Sequence, residues 1–227
     1  PEKCAAIVKQ LVRESYNAYR ADAWGYDELR PLSKKGMNWY SSTMGITIID
    51  SLDTLLTIGG FDEEVEEAIN FIDNEVDFSK IWDRISFFEV TIRVLGGLLS
   101  SYHLSGREPL LRQAIKLGDL MLEGAVVGDR PIPRAFPFLG TNPLKRVAQY
   151  FYDFSPLPDS IVVLASVQLE FRALSHFSGD PKYDKAARKW MRKARKKCTP
   201  LCILAWLKNG EPDIDPQYMY FAGLNKG

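Results

Sequence analysis

Apolar residues recur at i, i+3 and i+4 through most of the chain. That period predicts helices over Ala5–Tyr19, Ile46–Ile58, Glu63–Ile72, Phe87–Tyr102, Pro109–Leu122, Ile161–Leu174 and Pro181–Arg195. No alternating run reads as a strand before the tail, where Cys202–Leu207 fits one. Three stretches, LLTIGGFDEEVEEAINFI, SYHLSGREPLLRQAIKL and LSHFSGDPKYDKAARKW, each give a helix end, a glycine stop and a second helix. Such a helical hairpin buries its apolar face only by stacking on its neighbours. The expected fold is therefore all-α, a curved array of helical hairpins.

The repeat also bears on the two histidines. His103 and His176 occupy equivalent places, in Tyr-His-Leu-Ser-Gly and Ser-His-Phe-Ser-Gly, where a cation favours the negative end of the helix dipole. A structural role is expected for both. From Glu123 to Pro158 the helical pattern lapses among nine glycines and prolines, too long a stretch for an ordinary connection. Its aromatics, Phe136, Phe138, Tyr150, Phe151, Tyr152 and Phe154, either pack the loop down or stack on sugar rings, and packing is the expectation.

Chemistry concentrates in FFEVTIRVLGGLLSSYHLSG, Phe87 to Gly106. Glu89 and Arg93 are at i, i+4 and share a helix face, surrounded by Phe87, Phe88, Ile92, Val94, Leu95, Leu98 and Leu99. A carboxylate in so apolar a helix is expected to be buried. It either neutralises Arg93 as a structural pair or faces a polar cavity where it handles protons. Asp50 and Asp53 stand in another apolar helix and are expected to bond backbone or basic neighbours. Glu170 and Arg172, two positions apart, do not share a face.

With 29 basic and 29 acidic residues among 227, the chain has no global field to hold nucleic acid, and none is expected as a partner. Cys4, Cys198 and Cys202 are too few for a disulfide framework, and the C-x-x-x-C spacing lacks a histidine, so no metal site is assigned. No apolar run reaches the roughly 18 residues of a membrane span. The strongest interaction signal is KYDKAARKWMRKARKK, Lys182 to Lys197, with nine basic residues around a stripe of Ala186, Ala187, Trp190, Met191 and Ala194. Either it is a solvated outer helix, the commoner case, or it binds an anionic membrane or an acidic partner.

Four motifs then come in a familiar order: Ala23-Trp24-Gly25-Tyr26-Asp27-Glu28-Leu29-Arg30-Pro31-Leu32-Ser33, Ile49-Asp50-Ser51-Leu52-Asp53-Thr54, Phe88 to Ser100, and Gln168-Leu169-Glu170-Phe171-Arg172. Together they resemble the class I α-1,2-mannosidases, glycoside hydrolase family 47. The resemblance implies a barrel of seven helical hairpins, of which residues 1–227 make a partial (α/α)7 barrel domain with its C-terminal half missing. It implies that Glu89 protonates the leaving glycosidic oxygen and that Arg93 contacts the substrate. It implies inverting hydrolysis of α-1,2-linked mannose from high-mannose N-glycans with calcium, in the secretory pathway, whether endoplasmic reticulum, Golgi lumen or outside the cell.

Two departures accompany it. Tyr220 to Gly227 looks like the approach to a motif whose next residues include an active-site aspartate. The other catalytic carboxylates, the active-site histidine and the calcium-binding threonine are expected further on. Val163 stands where the family has a glutamate that reaches substrate, and a valine accepts no hydrogen bond. The isolated chain is therefore expected to be inactive, and to self-associate through the flank meant for the absent hairpins. The alternative is a non-catalytic glycan- or partner-binding relative, like the degradation-enhancing mannosidase-like proteins.

Overall fold

The structure is a computed structural model that describes residues 2–125, 133–140, 144, 161–197, 206–208 and 211–213; side chains are described for residues 2–125, 133–140, 144 and 166–192. The chain divides into two compact units: unit 1 is residues 1–83 with 93–114, and unit 2 is residues 84–92 with 115–227.

Unit 1 opens with α1 (Glu2–Ala23). A short hairpin follows, β1 (Glu28–Arg30) paired antiparallel with β2 (Lys35–Met37) in the register Leu29 to Gly36, its turn closed by Lys34 at φ 53°. This hairpin corrects the expectation that no strand precedes the tail. Three-residue strands leave no alternation to detect, and what holds the hairpin is its surroundings. Asp27, fully buried just before β1, spreads its carboxylate over the loop that follows β2. Oδ2 accepts from Trp39 N at 3.0 Å, and Oδ1 accepts from Met44 N at 2.8 Å, Ile46 N at 3.2 Å and the Thr43 hydroxyl at 3.2 Å.

Those donors include the free N–H groups at the start of α2 (Ile46–Ile58), so Asp27 caps a helix from 19 residues away. Gly59 (φ 72°) ends α2, and α3 (Asp62–Asn74) returns beside it. The first predicted hairpin is thus present, with α3 burying Val65, Ala68, Ile69 and Ile72. One face of α1 stays open, leaving Ile7, Val8 and Leu11 more than half exposed beside a cavity of about 360 Å³ between α1 and α2.

The predicted helix at Phe87–Tyr102 is three segments: α4 (Phe87–Glu89), a π-helical turn over Val90–Leu95, and α5 (Gly96–Ser105). Ser86 starts it, its side chain accepting from Glu89 N. The Thr91 hydroxyl, fully buried, donates to Phe87 O at 2.7 Å, a back-bond that competes with the regular ladder. In unit 1, α5 packs against α2 at very close range. A Cβ on Gly97 would lie 2.7 Å from the Ile49 carbonyl oxygen. Gly97→Ala is expected to cost about 1–3 kcal/mol, because backbone, not a movable side chain, meets the new methyl; urea melts of the two proteins check it.

Gly106 (φ 67°) ends α5, and α6 (Glu108–Ala125) follows. In unit 2, α7 (Ile161–Ser178) and α8 (Lys182–Lys197) form the third predicted hairpin around Gly179 (φ 74°). Ser105 and Ser178 do the same work at the two turns: each hydroxyl donates to the carbonyl four residues back, at 2.6 Å, and accepts from the N–H two residues on. His103 and His176 are exposed in the last turns of α5 and α7, where the helix-dipole argument places them.

The core of unit 2 is aromatic. Phe87, Phe171, Tyr183 and Trp190 are all buried, with ring centroids 5.7 Å apart for Phe171–Trp190, 6.0 Å for Phe171–Tyr183 and 6.4 Å for Phe87–Trp190. In the stretch that loses the helical period, residues 135–138 lie antiparallel to residues 84–87, which lead into α4: Ile85 N donates to Pro137 O and Phe87 N to Ala135 O. Phe138 packs down, as expected, whereas Phe136 is exposed with the Arg84 guanidinium 5.8 Å from its ring; Tyr150, Phe151, Tyr152 and Phe154 lie outside the described residues. Of the predicted tail strand, Trp206 and Leu207 are described and lie in β3 (Trp206–Lys208), which pairs antiparallel with β4 (Glu211–Asp213); residues 202–205 lie outside the described residues.

Candidate active site

Two helices of unit 1 carry a polar seam. Along α2, Asp50 and Asp53 are three apart and so face one way; opposite them stand Arg93 and Ser100. Arg93 Nη1 donates to Asp50 Oδ2 at 3.1 Å, and the Ser100 hydroxyl donates to Asp53 Oδ2 at 2.7 Å. The expected basic neighbour is found for Asp50, whereas Asp53 accepts from the Ser100 hydroxyl, neither backbone nor base. Arg93 and Asp50 are each about 40% exposed, a setting in which an ion pair contributes no more than about 1 kcal/mol. Its value is positional: Asp50 fixes the direction of the guanidinium.

Above the same guanidinium sits an aromatic ring. The Trp39 centroid is 6.0 Å from Arg93 Cζ, its indole N–H donates to Glu28 Oε2 at 2.9 Å, and its backbone N–H is held by Asp27. Trp39 remains 37% exposed. An accessible indole face next to a cation and a carboxylate is suited to the C–H faces and hydroxyls of a sugar. Sequence reasoning passed over Trp39, since a lone tryptophan in a loop has no periodic signal; its nearness to Arg93 depends on the Asp27 contact.

Glu89 ends α4 in unit 2, its N–H bonded to Ser86 Oγ at 3.3 Å. It is half-buried, and so are Phe88, Ile92, Arg93, Gly96 and Ser100, whereas Phe87, Val90, Thr91, Val94, Leu95, Leu98 and Leu99 are buried. This corrects the expectation of a carboxylate enclosed on most sides. Phe88, Glu89 and Ile92 are thus accessible in unit 2, and Arg93, Gly96 and Ser100 in unit 1, positions that the apolar neighbours in sequence do not cover.

Glu170 behaves differently. Burial pushes its carboxyl above the ordinary range, and its Oε2 has no hydrogen-bond partner among the described residues. Arg172 points elsewhere, to Asp184 at 3.4 Å. Among the described residues no three His, Cys, Asp or Glu side chains are grouped to hold a metal ion. Cys4 is an exposed thiol; Cys198, Cys202, Asp153 and Asp159, and the side chain of Val163, lie outside what is described.

The family model for glycosyl hydrolase family 47 matches residues 11–203, which takes in every element of this seam and Glu89. The chain belongs to glycosyl hydrolase family 47. Among curated family 47 relatives, it is 41% identical over 179 residues to the endoplasmic reticulum mannosyl-oligosaccharide 1,2-alpha-mannosidase of Schizosaccharomyces pombe, covering 78% of this chain and 33% of the relative. It is 37% identical over 175 residues to the enzyme of the same name from Homo sapiens, covering 77% of this chain and 24% of the relative. The chain thus spans about a third and a quarter of the lengths of these two proteins. The solved alpha-1,2-mannosidase from Trichoderma reesei matches 93% of this chain and 45% of its own, with a TM-score of 0.75 at 23% identity. That likeness gives the fold: all-α, built of the helical hairpins of an (α/α)7 barrel.

Proposed function

We propose that the protein carrying this segment is an α-1,2-mannosidase of the secretory pathway, removing α-1,2-linked mannose from high-mannose N-glycans with inversion at the anomeric carbon. Membership of family 47 supports this reading, and the observation that carries it is that Glu89 in unit 2 is accessible, as is Arg93 in unit 1, where Asp50 and Trp39 stand beside it. Glu89, as the carboxylic acid, gives its proton to the glycosidic oxygen as the bond from that oxygen to the anomeric carbon breaks. Water attacks the opposite face and loses its proton to a second carboxylate. Arg93, aimed by Asp50, donates to substrate hydroxyls, and the Trp39 face packs on a ring.

Asp50 and Asp53 are already bonded to Arg93 and Ser100, which leaves neither free to serve as the base. No described residue is assigned as the base or as the calcium ligand. Among the described residues no three His, Cys, Asp or Glu side chains are grouped around a site for calcium.

Residues 1–227 alone are accordingly expected to release no mannose from an α-1,2-linked oligosaccharide in the presence of calcium. Turnover that disappears in Glu89→Gln would mean that a base lies within these residues. Sequencing the transcript past the codon for Gly227 identifies the carboxylates that accompany Glu89. A stop codon there would favour the non-catalytic glycan-binding relative.

A further inference from the structure

The solvent face of α8 is unlike any other surface described. The helix from Lys182 to Lys197 holds nine basic residues and one acid, Asp184. It belongs to a chain of zero net charge, so the charge is sorted: unit 1 has eleven Lys and Arg against seventeen Asp and Glu, a net of −6, and unit 2 has eighteen against twelve, a net of +6.

Not all of these bases are available. Lys182 is bonded to Asp119 and Asp180, and the Arg188 Nε–H is shared between the two carboxylate oxygens of Asp184 at 2.9 and 2.7 Å. Lys185, Lys189 and Arg192 are exposed and form no salt bridge among the described residues. They are at i, i+4 and i+7, hence on one stripe, and the helical backbone continues through Lys193, Arg195, Lys196 and Lys197. From Lys185 to Lys197 the helix is about 18 Å long. On the apolar side of α8, Tyr183, Ala187 and Trp190 are buried, with Tyr183 and Trp190 against Phe171 of α7 and Trp190 against Phe87.

We propose that this stripe docks unit 2 onto a bilayer surface carrying anionic lipid, by headgroup contact without insertion. The buried Trp190 rules out the inserted amphipathic helix that the sequence pattern alone allows. Charge complementarity selects an anionic occupant, and the side chains favour a diffuse surface over a peptide carboxylate. Two of the three unpaired bases are lysines, whose ammonium groups act as point charges. Arg188, an arginine of this helix that could present a guanidinium beside them, is already bonded to Asp184 through Nε. Attraction of this kind acts within a Debye length and fades with salt.

The test is flotation of residues 1–227 with vesicles of phosphatidylcholine, with and without phosphatidylserine, in a density gradient that leaves self-associated protein at the bottom. Binding is expected only with phosphatidylserine and is lost in about 0.5 M NaCl, where screening is nearly complete. Lys185→Gln/Lys189→Gln/Arg192→Gln lowers the partition coefficient about 100-fold. Lys185→Arg/Lys189→Arg/Arg192→Lys, which keeps the charge, and Lys9→Gln/Lys34→Gln/Lys80→Gln in unit 1 bind like the unaltered chain. Equal binding to pure phosphatidylcholine, or unchanged binding by the triple glutamine variant, overturns the proposal. Binding to polyglutamate or duplex DNA without binding to phosphatidylserine vesicles also overturns it, in favour of an acidic protein or a nucleic acid.

Discussion

Glu89→Gln is expected to lower mannose release by about 10²–10⁴-fold in the protein expressed from its complete reading frame, the range a positioned general acid contributes. The substitution is nearly isosteric, and an amide has no proton to give the departing oxygen. The Ser86 cap on the backbone N–H of residue 89 is kept in the variant. A melting temperature within a degree or two of the unaltered protein is the control. A structural role is separated from an acid role by the leaving group. An aryl mannoside with an acidic phenol departs without protonation, so Glu89→Gln recovers most of its rate on that substrate if Glu89 is the acid. An equal loss on both substrates would remove Glu89 from that role. Arg93→Lys, by contrast, keeps the charge and loses the fork that Asp50 orients, so its defect falls mainly on KM.

The helices were legible because they repeat, and three glycine stops told where each hairpin turns. Their ends were not. α1 begins at Glu2 and α3 extends to Asn74, since polar residues lengthen a helix without adding to its apolar period. The π turn over Val90–Leu95 left no trace in the pattern, because a change of hydrogen-bond partner moves no residue from apolar to polar. The pairing of Arg93 with Asp50, 43 positions away, was equally invisible: each residue was readable as a candidate, but only the packing of α2 on α5 brings them together. In α8 the apolar stripe was evident, yet a stripe does not state what covers it. The aromatic rings of Phe87 and Phe171 settle that it faces the interior of unit 2.

Asp27→Ala is expected to cost about 5 kcal/mol. Asp27 sits in the motif Ala23 to Ser33, where it reads as one more acidic residue in a polar turn; in the fold it is fully buried and accepts through both oxygens. Removing the carboxylate strands three backbone donors, at Trp39, Met44 and Ile46, and each unsatisfied buried donor costs about 1–3 kcal/mol. The Thr43 hydroxyl loses its acceptor as well. Bonds made by the Asp27 backbone persist, since Thr47 N and its hydroxyl are held by the carbonyl at 3.1 and 2.6 Å, which keeps the first turn of α2 anchored and limits the loss. Asp27→Asn separates the two oxygens. It retains one acceptor for the donors around Met44 and Ile46, turns an N–H₂ toward Trp39 N, and should cost about 2 kcal/mol. Urea melts give both values. A loss below about 1 kcal/mol for the alanine variant would show that the donors find other partners. Since Asp27 fixes Trp39 and Trp39 lies over Arg93, the alanine variant should also weaken substrate binding in proportion to the disorder of that loop, an effect the Asp27→Asn variant shares only in part.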